Sequence, residues 1–321
     1  MQKLGTERET SDHPDIKFDG SRYTCDMNIP VSYYGVLIGQ GGSTMKRIES
    51  ETEVKLKIPQ AGAKGPVVLT ASTIRAIQAA KDRIEVLMES AKKRFKATHF
   101  VSIPLIMDVV KMNFNEFCDD IVKDYGFNRK IFQNPDRLHL TICLLLLNDA
   151  NEIREACDEL KKCQEEIIAP LLQGKPLNVH MEGLEYMNDD PSCVNVLYGE
   201  LKPSDGSDKL QSLADCIVER FKKRGLLHSG QGPSSVAEKV KIHATLMNSI
   251  FAQTPDDVSV SSQQRRAPDR RTAFNASKVL TAYGSFDFGT FDLEEIHISK
   301  RGEYSVENGY YKPECIISLP H

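Results

Sequence analysis

The sequence predicts an α+β chain built from two modules, and three observations carry that reading. Its 321 residues give room for two domains at about 150 residues each. The apolar periodicity changes near residue 97, from a short β-α-α-β-β-α pattern to longer alternating helices and strands. The charge changes at the same place. Residues 22–96 hold 13 Lys and Arg against 7 Asp and Glu, whereas residues 97–321 hold 25 against 33. These shifts divide the chain into a polar, frayed tail over 1–20, a basic module over 21–96 and an acidic module over 97–321.

In the first module, Arg22 to Ile29 alternates weakly, as an edge strand does. Tyr33 to Ile38 is a short helical turn, and Ser43 to Glu53 places Met45 and Ile48 on one helical face. Val54, Leu56 and Ile58 alternate with Lys55 and Lys57, which marks a strand. PVVLTAS is the next strand, and Ser72 to about Phe95 reads as an amphipathic helix with Ile74, Ile77, Ile84, Leu87 and Met88 on one side. Lys92, Lys93, Arg94 and Lys96 at its end complement the helix dipole.

In the second module, HFVSIPLI is a strand and Asp108 to Tyr125 a helix. RLHLTICLLLL is a strand, and Asn151 to Leu172 a single long charged helix. LNVHMEGLEYM and CVNVLYGEL are strands, Asp208 to Leu227 is a helix, and KVKIHATLMNS is a strand. Residues 252–273 are polar, with Pro, Ser and the arginines 265, 266, 270 and 271, which marks a loop. A short helix and two strands, EEIHISK and ECIISLP, close the pattern.

Several function classes drop out. The longest apolar run, Ile142 to Leu147, falls far short of the ~18 to 20 residues that cross a bilayer, so no membrane partner is expected. The first residues lack the apolar core of a secretory signal. The eight Cys form no Cys-x-x-Cys pair, and several sit in apolar runs. That pattern predicts buried, reduced thiols in an intracellular protein and neither a zinc site nor a disulfide frame.

Two constellations carry chemistry. The first is Gly39-Gln40-Gly41-Gly42 between two helical segments. A Gly-x-x-Gly step lets backbone approach a phosphate chain, and the following helix offers free N–H groups. Lys46 and Arg47 lie one turn along and supply charge. Ile48 and Val54 offer an apolar floor for bases. Gly62-Ala63-Lys64-Gly65 has the same spelling but opens no helix, so it reads as a turn. The element order and the loop together resemble the KH domain, whose loop clamps about four nucleotides of single-stranded nucleic acid. The resemblance implies a type I KH fold and single-stranded RNA as partner. The middle pair, Gln40 and Gly41, carries no cation.

The second constellation is a pair of strand motifs, His139-Leu-Thr141 and His243-Ala-Thr245. In each, Arg137 or Lys241, the histidine and the threonine share one face, while Leu138, Leu140 and Ile142, or Val240, Ile242, Ala244 and Leu246, share the apolar other. His297-Ile-Ser299 has the same spacing but loses its apolar continuation at Lys300, and it ranks as a decoy. Two imidazoles facing one cleft suit phosphodiester chemistry: one takes a proton from the nucleophile and the other gives one to the leaving oxygen. Two Thr hydroxyls can donate to the non-bridging oxygens. This scheme needs no cofactor and no metal.

The paired motifs resemble the 2H phosphoesterase superfamily over residues 97–321. The resemblance implies a bilobal fold with pseudo-two-fold symmetry, His139 and His243 as acid and base, and Thr141 and Thr245 as phosphate holders. It implies substrates among RNA ends, 2′,3′-cyclic phosphates and 2′,5′ linkages. Which histidine is the base stays open. So does a subunit that binds RNA or nucleotide without cutting it. The order of the two modules, with the HATLMNS segment, is similar to a family of nuclear coactivator-complex subunits. That likeness implies a nuclear protein that partners the other subunits of a transcription-coactivator and alkylation-damage repair complex, its helicase included. Tyr186, Tyr310 and Tyr311 are better read as core than as base-stacking rings.

Overall fold

The computed structural model describes residues 13–60, 65–92, 94–228, 239–252 and 272–320. The chain divides into two compact units, the first reaching Lys96 and the second starting at Ala97, with two short later segments grouped with the first.

In the first unit, strands β1 (Ile16–Phe18), β2 (Tyr23–Met27), β3 (Lys55–Lys57) and β4 (Val67–Ala71) form one antiparallel sheet in the order β1-β2-β4-β3. Helices α1 (Tyr34–Ile38), α2 (Ser43–Thr52) and α3 (Ile74–Lys92) cover it. Tyr33, Leu37, Ile48, Val54, Leu69, Ile77 and Ile84 build its core. The expected tail is wrong over its last residues. Ile16 is buried and pairs with Cys25, so β1 extends the sheet. The Asp19 carboxylate holds the turn to β2 by accepting from the Ser21 and Arg22 N–H groups at 2.8 Å each.

The second unit is one eight-stranded antiparallel sheet in the order β10-β7-β8-β9-β6-β5-β11-β12. Its strands are β5 (His99–Pro104), β6 (His139–Leu145), β7 (Leu177–Tyr186), β8 (Val196–Pro203), β9 (Ala244–Asn248), β10 (Asp287–Leu293), β11 (Glu295–Tyr304) and β12 (Tyr311–Ser318). Four strands lie on each side of the β6–β9 seam, where Leu140 pairs with Ala244. Each central strand closes a repeated unit. Helix α4 (Asp108–Tyr125) links β5 to its neighbour β6, and α7 (Lys209–Lys223) links β8 to its neighbour β9. Helix α4 buries Val110, Phe114, Phe117, Cys118 and Ile121, the stripe of an amphipathic helix, and packs on β10. Helix α7 buries Leu213, Ala214, Ile217 and Phe221 and packs on β6 and β8.

Three expectations fail here for identifiable reasons. The single helix over Asn151 to Leu172 is interrupted. Helix α5 (Ala150–Cys163) passes through a π-helical turn at Gln164–Ile168 into the short α6 (Ala169–Leu172). Pro170 has no N–H to give to the carbonyl four residues back, and the wider turn accommodates its ring. The strand expected from Lys239 begins only at Ala244. The Val240 backbone is engaged by α7 side chains instead: its N–H donates to Asp215 at 2.8 Å and its carbonyl accepts from Gln211 at 2.9 Å. Strand β10, with Phe288, Phe291 and Leu293 buried, was not expected. A bulge at Gly289 (φ +113°) breaks its alternation. Most of residues 252–273, with all four arginines, lies outside the described residues, as do Lys93 and the segment Ala61–Lys64.

Candidate active site and nucleic-acid interface

The β6–β9 register brings the two His-x-Thr motifs together. Leu140 faces Ala244, and both are fully buried. Carrying the antiparallel register one residue each way sets His139 opposite Thr245 and Thr141 opposite His243. Opposed residues point to the same side of a sheet, so all four leave the core on one face. All four are half-buried. Neighbouring strands continue both rows. Ser102 of β5 faces Thr141 and His297 of β11 faces Ser102, while Pro104 faces His139 and Tyr198 of β8 faces Thr245.

Each imidazole is oriented the same way. His139 Nδ1 lies 2.8 Å from the Arg137 carbonyl, and His243 Nδ1 lies 2.7 Å from the Lys241 carbonyl. A carbonyl only accepts, so each Nδ1 carries the hydrogen and each Nε2 is left for chemistry. His139 opens β6, and His243 immediately precedes β9. Arg137 itself ends a 3-10 turn, Pro135–Arg137, so it is not part of the strand face the sequence suggested.

The surroundings of the two rings differ. The His139 ring touches Phe100, Tyr311 and Tyr310 at centroid distances of 5.2, 5.4 and 6.4 Å. Burial pushes its pKa down to about 4; the Arg137 carbonyl resists that, and repulsion from His243 adds to it. His243 meets one ring, Tyr198 at 5.4 Å, and its pKa is lowered by burial, with the Lys241 carbonyl opposing and the Lys241 ammonium reinforcing. Among the described residues no group of three or more His, Cys, Asp or Glu is placed to hold a metal ion.

His297 sits on the same face but is buried, with Nε2 bonded to Glu295 at 2.7 Å. Tyr310 is core, as expected, yet it lies under the site: its hydroxyl bonds Ser102 Oγ at 2.9 Å and its ring meets both His139 and His297. Tyr186 also packs against the core. Tyr311 is half-buried beside His139. Ser102, Phe100 and Tyr198 carried no signal of their own, because each belongs to an ordinary apolar strand run.

In the first unit, the glycine loop has a backbone that side chains resist. Gly39, Gly41 and Gly42 all have positive φ, at +70°, +59° and +79°. A Cβ on Gly39 would lie 2.2 Å from Thr44 Oγ1 and 2.8 Å from the Thr44 nitrogen, so only glycine fits. Gln40, Gly41, Lys46 and Arg47 are exposed, and α2 starts directly after the loop. The expected apolar floor is a correction: Ile48 and Val54 are buried at 0% and 2% and cannot touch a base. The helical stripe that presents Lys46 and Arg47 turns Ile48 into the core. The exposed apolar side chains flanking the loop are Val31 and Ile38.

Comparison with known proteins agrees with both units. Residues 97–319 match the family described as the AKAP7 2′5′ RNA ligase-like domain, and residues 24–86 match the KH domain. Activating signal cointegrator 1 complex subunit 1 of Mus musculus is 36% identical over 289 residues, which covers 87% of this chain and 79% of the mouse protein. Among solved structures, TT0787 of Thermus thermophilus covers 70% of this chain and 98% of its own, at 16% identity and a TM-score of 0.40. LigT of E. coli, solved with NADP+, covers 70% and 98%, at 13% identity and a TM-score of 0.39. Among the described residues no helix is long and apolar enough to cross a membrane.

Proposed function

Because the chain belongs to the activating signal cointegrator 1 complex subunit 1 family, joining an RNA-binding KH domain to a 2H phosphoesterase domain, we propose that it is a metal-independent phosphodiesterase acting on single-stranded RNA. The observation that carries this is the matched pair of imidazoles, each with Nδ1 on the carbonyl two residues back, at 2.8 and 2.7 Å, across the Leu140–Ala244 pair.

The roles follow from the environments. His139, the more strongly neutral ring, takes the proton from the nucleophile through Nε2. His243, less enclosed, delivers a proton to the leaving oxygen. Thr141 and Thr245, each opposite an imidazole, donate to the non-bridging oxygens as charge develops. With a 2′-OH as nucleophile the product is a 2′,3′-cyclic phosphate; with water, a cyclic or 2′,5′ linkage is opened. The anionic phosphate between the rings offsets their mutual repulsion. The Gly39–Gly42 loop, with Lys46 and Arg47, supplies the strand to this cleft. Membership of the activating signal cointegrator 1 complex, with its helicase among the partners and the nucleus as location, rests on kinship with the mouse protein.

One observation favours a second reading, a subunit that binds RNA or nucleotide and does not cut. An imidazole held near 4 is a weak base. Cleavage by the wild-type chain that is lost in His139→Ala supports the enzyme. Full activity in His139→Ala overturns it, and RNA binding without turnover of 3′,5′, 2′,5′ or cyclic substrates supports the second reading.

A further inference from the structure

The two halves of the second unit repeat more than the His-x-Thr motif. In each, the residue two before the histidine is a cation laid on a tyrosine ring. The Arg137 guanidinium carbon lies 3.4 Å from the Tyr304 ring centroid, and Lys241 Nζ lies 4.5 Å from that of Tyr198. Both rings lead back to the imidazoles. Tyr198 meets His243 at 5.4 Å; Tyr304 meets Tyr311 at 5.3 Å, and Tyr311 meets His139 at 5.4 Å.

Neither cation has a carboxylate partner among the described residues. Arg137 bonds only the Gly309 carbonyl, at 3.3 Å, while its neighbour Asp136 is paired to Lys111. Lys162, Arg220 and Arg224, by contrast, each pair with a carboxylate, sharing Glu159, and Arg220 also reaches Glu166. Arg137 and Lys241, each two residues before a histidine of the antiparallel Leu140–Ala244 pairing, place positive charge at both ends of the paired motifs. An aromatic face holds a cation without cancelling its charge, and guanidinium N–H groups stay free for an anion.

We propose that Arg137 and Lys241 bind the phosphates on either side of the scissile one, so that the cleft takes an oligonucleotide backbone in preference to a lone cyclic or single phosphodiester. This deepens the phosphodiesterase reading and rests on it for the identity of the central phosphate. A backbone crossing the cleft sets its scissile phosphate between the imidazoles and its neighbours over Arg137 and Lys241. The two cations are anchoring side chains and take no part in proton transfer.

The test uses the full chain and two ligands too short to span the roughly four-nucleotide KH clamp. One is a dinucleoside monophosphate, NpN; the other is the same dinucleotide with both ends phosphorylated, pNpNp. Affinity is measured against salt for the wild type, Arg137→Gln, Lys241→Gln and Lys241→Arg. The wild type should bind pNpNp more tightly, with a log–log salt slope steeper by about 0.7 for each extra phosphate held. Each Gln variant should lose about one such increment, and about tenfold more affinity for pNpNp than for NpN, while Lys241→Arg retains both. Equal affinity losses for the two ligands, or an unchanged slope, overturn the proposal, because they mean that the cations only prop the tyrosines and imidazoles. Turnover is read separately. If pNpNp binds as described but is never cut, the anchors stand and the enzyme reading fails. If NpN and pNpNp are cut equally well by every variant, the enzyme stands and the anchors fail.

Discussion

His139 should stay neutral far below the pH at which a free imidazole takes up its proton. Its ring is enclosed by Phe100, Tyr310 and Tyr311, and His243 adds like-charge repulsion, so its pKa falls from 6.5 to about 4. The unfolded chain takes up that proton near pH 6.5 and the folded chain only near 4. Between those values the unfolded state binds more protons, so stability falls as the pH drops. At about 1.4 kcal/mol per pH unit, the loss approaches roughly 3 kcal/mol once the pH is below 4. Two assays read this. Carbon-13 NMR of labelled histidine should show His139 titrating near pH 4, and moving upward in His243→Gln as the repulsion is removed. Urea unfolding from pH 7 to 4 should show His139→Gln losing less stability than the wild type, by an amount of that order. His139 titrating between 6 and 7 in the folded protein, or unmoved by His243→Gln, would refute both the burial argument and the shared cleft.

Other outcomes follow from the same geometry. His243→Ala should lose about 100- to 10,000-fold in rate on an ordinary substrate, yet recover most of it on one whose leaving oxygen is replaced by sulfur, since a thiolate departs without a proton. His139→Ala should show no such recovery; the reverse pattern exchanges the two roles. The kcat/KM profile should fall as the pH rises through the lowered pKa of His243, which places the optimum below about 6.5; an alkaline optimum contradicts the assignment. Gly39→Ala should destabilise the first unit by about 1–3 kcal/mol in urea unfolding, because its Cβ meets the Thr44 backbone nitrogen at 2.8 Å. Gln40→Asp, at an exposed position whose backbone is not left-handed, should leave that stability within about 1 kcal/mol and weaken RNA binding, since a carboxylate then faces the phosphate chain.

The sequence made the two His-x-Thr motifs legible because their neighbours alternate. Leu138, Leu140 and Ile142 turn one face inward, and a repeated polar face opposite them is rare enough to notice. The glycine loop was legible because three positive φ angles need glycine. What stayed hidden depends on contacts between distant parts of the chain. Ser102 and Tyr310 meet over a separation of 208 residues, and neither is unusual in its own segment. Strand β1 has three residues and exists through its pairing with β2 and the burial of Ile16, which no local pattern announces. Ile48 and Val54 were apolar and near the loop, but periodicity alone does not say whether an apolar side chain faces a core or a groove. The start of β9 was misplaced because the Asp215 and Gln211 side chains of α7 capture the Val240 backbone, a competition invisible from residues 239–249 alone.

In the proposed mechanism two opposed imidazoles, at His139 and His243, cut a phosphodiester without a metal. The most direct test is incubation of end-labelled single-stranded RNA with the wild-type chain in EDTA, beside the His139→Ala, His243→Ala double variant. Cleavage by the wild type alone is expected, with fragment ends that identify the nucleophile. Equal cleavage by both proteins, or cleavage that appears only when a divalent cation is restored, would contradict it.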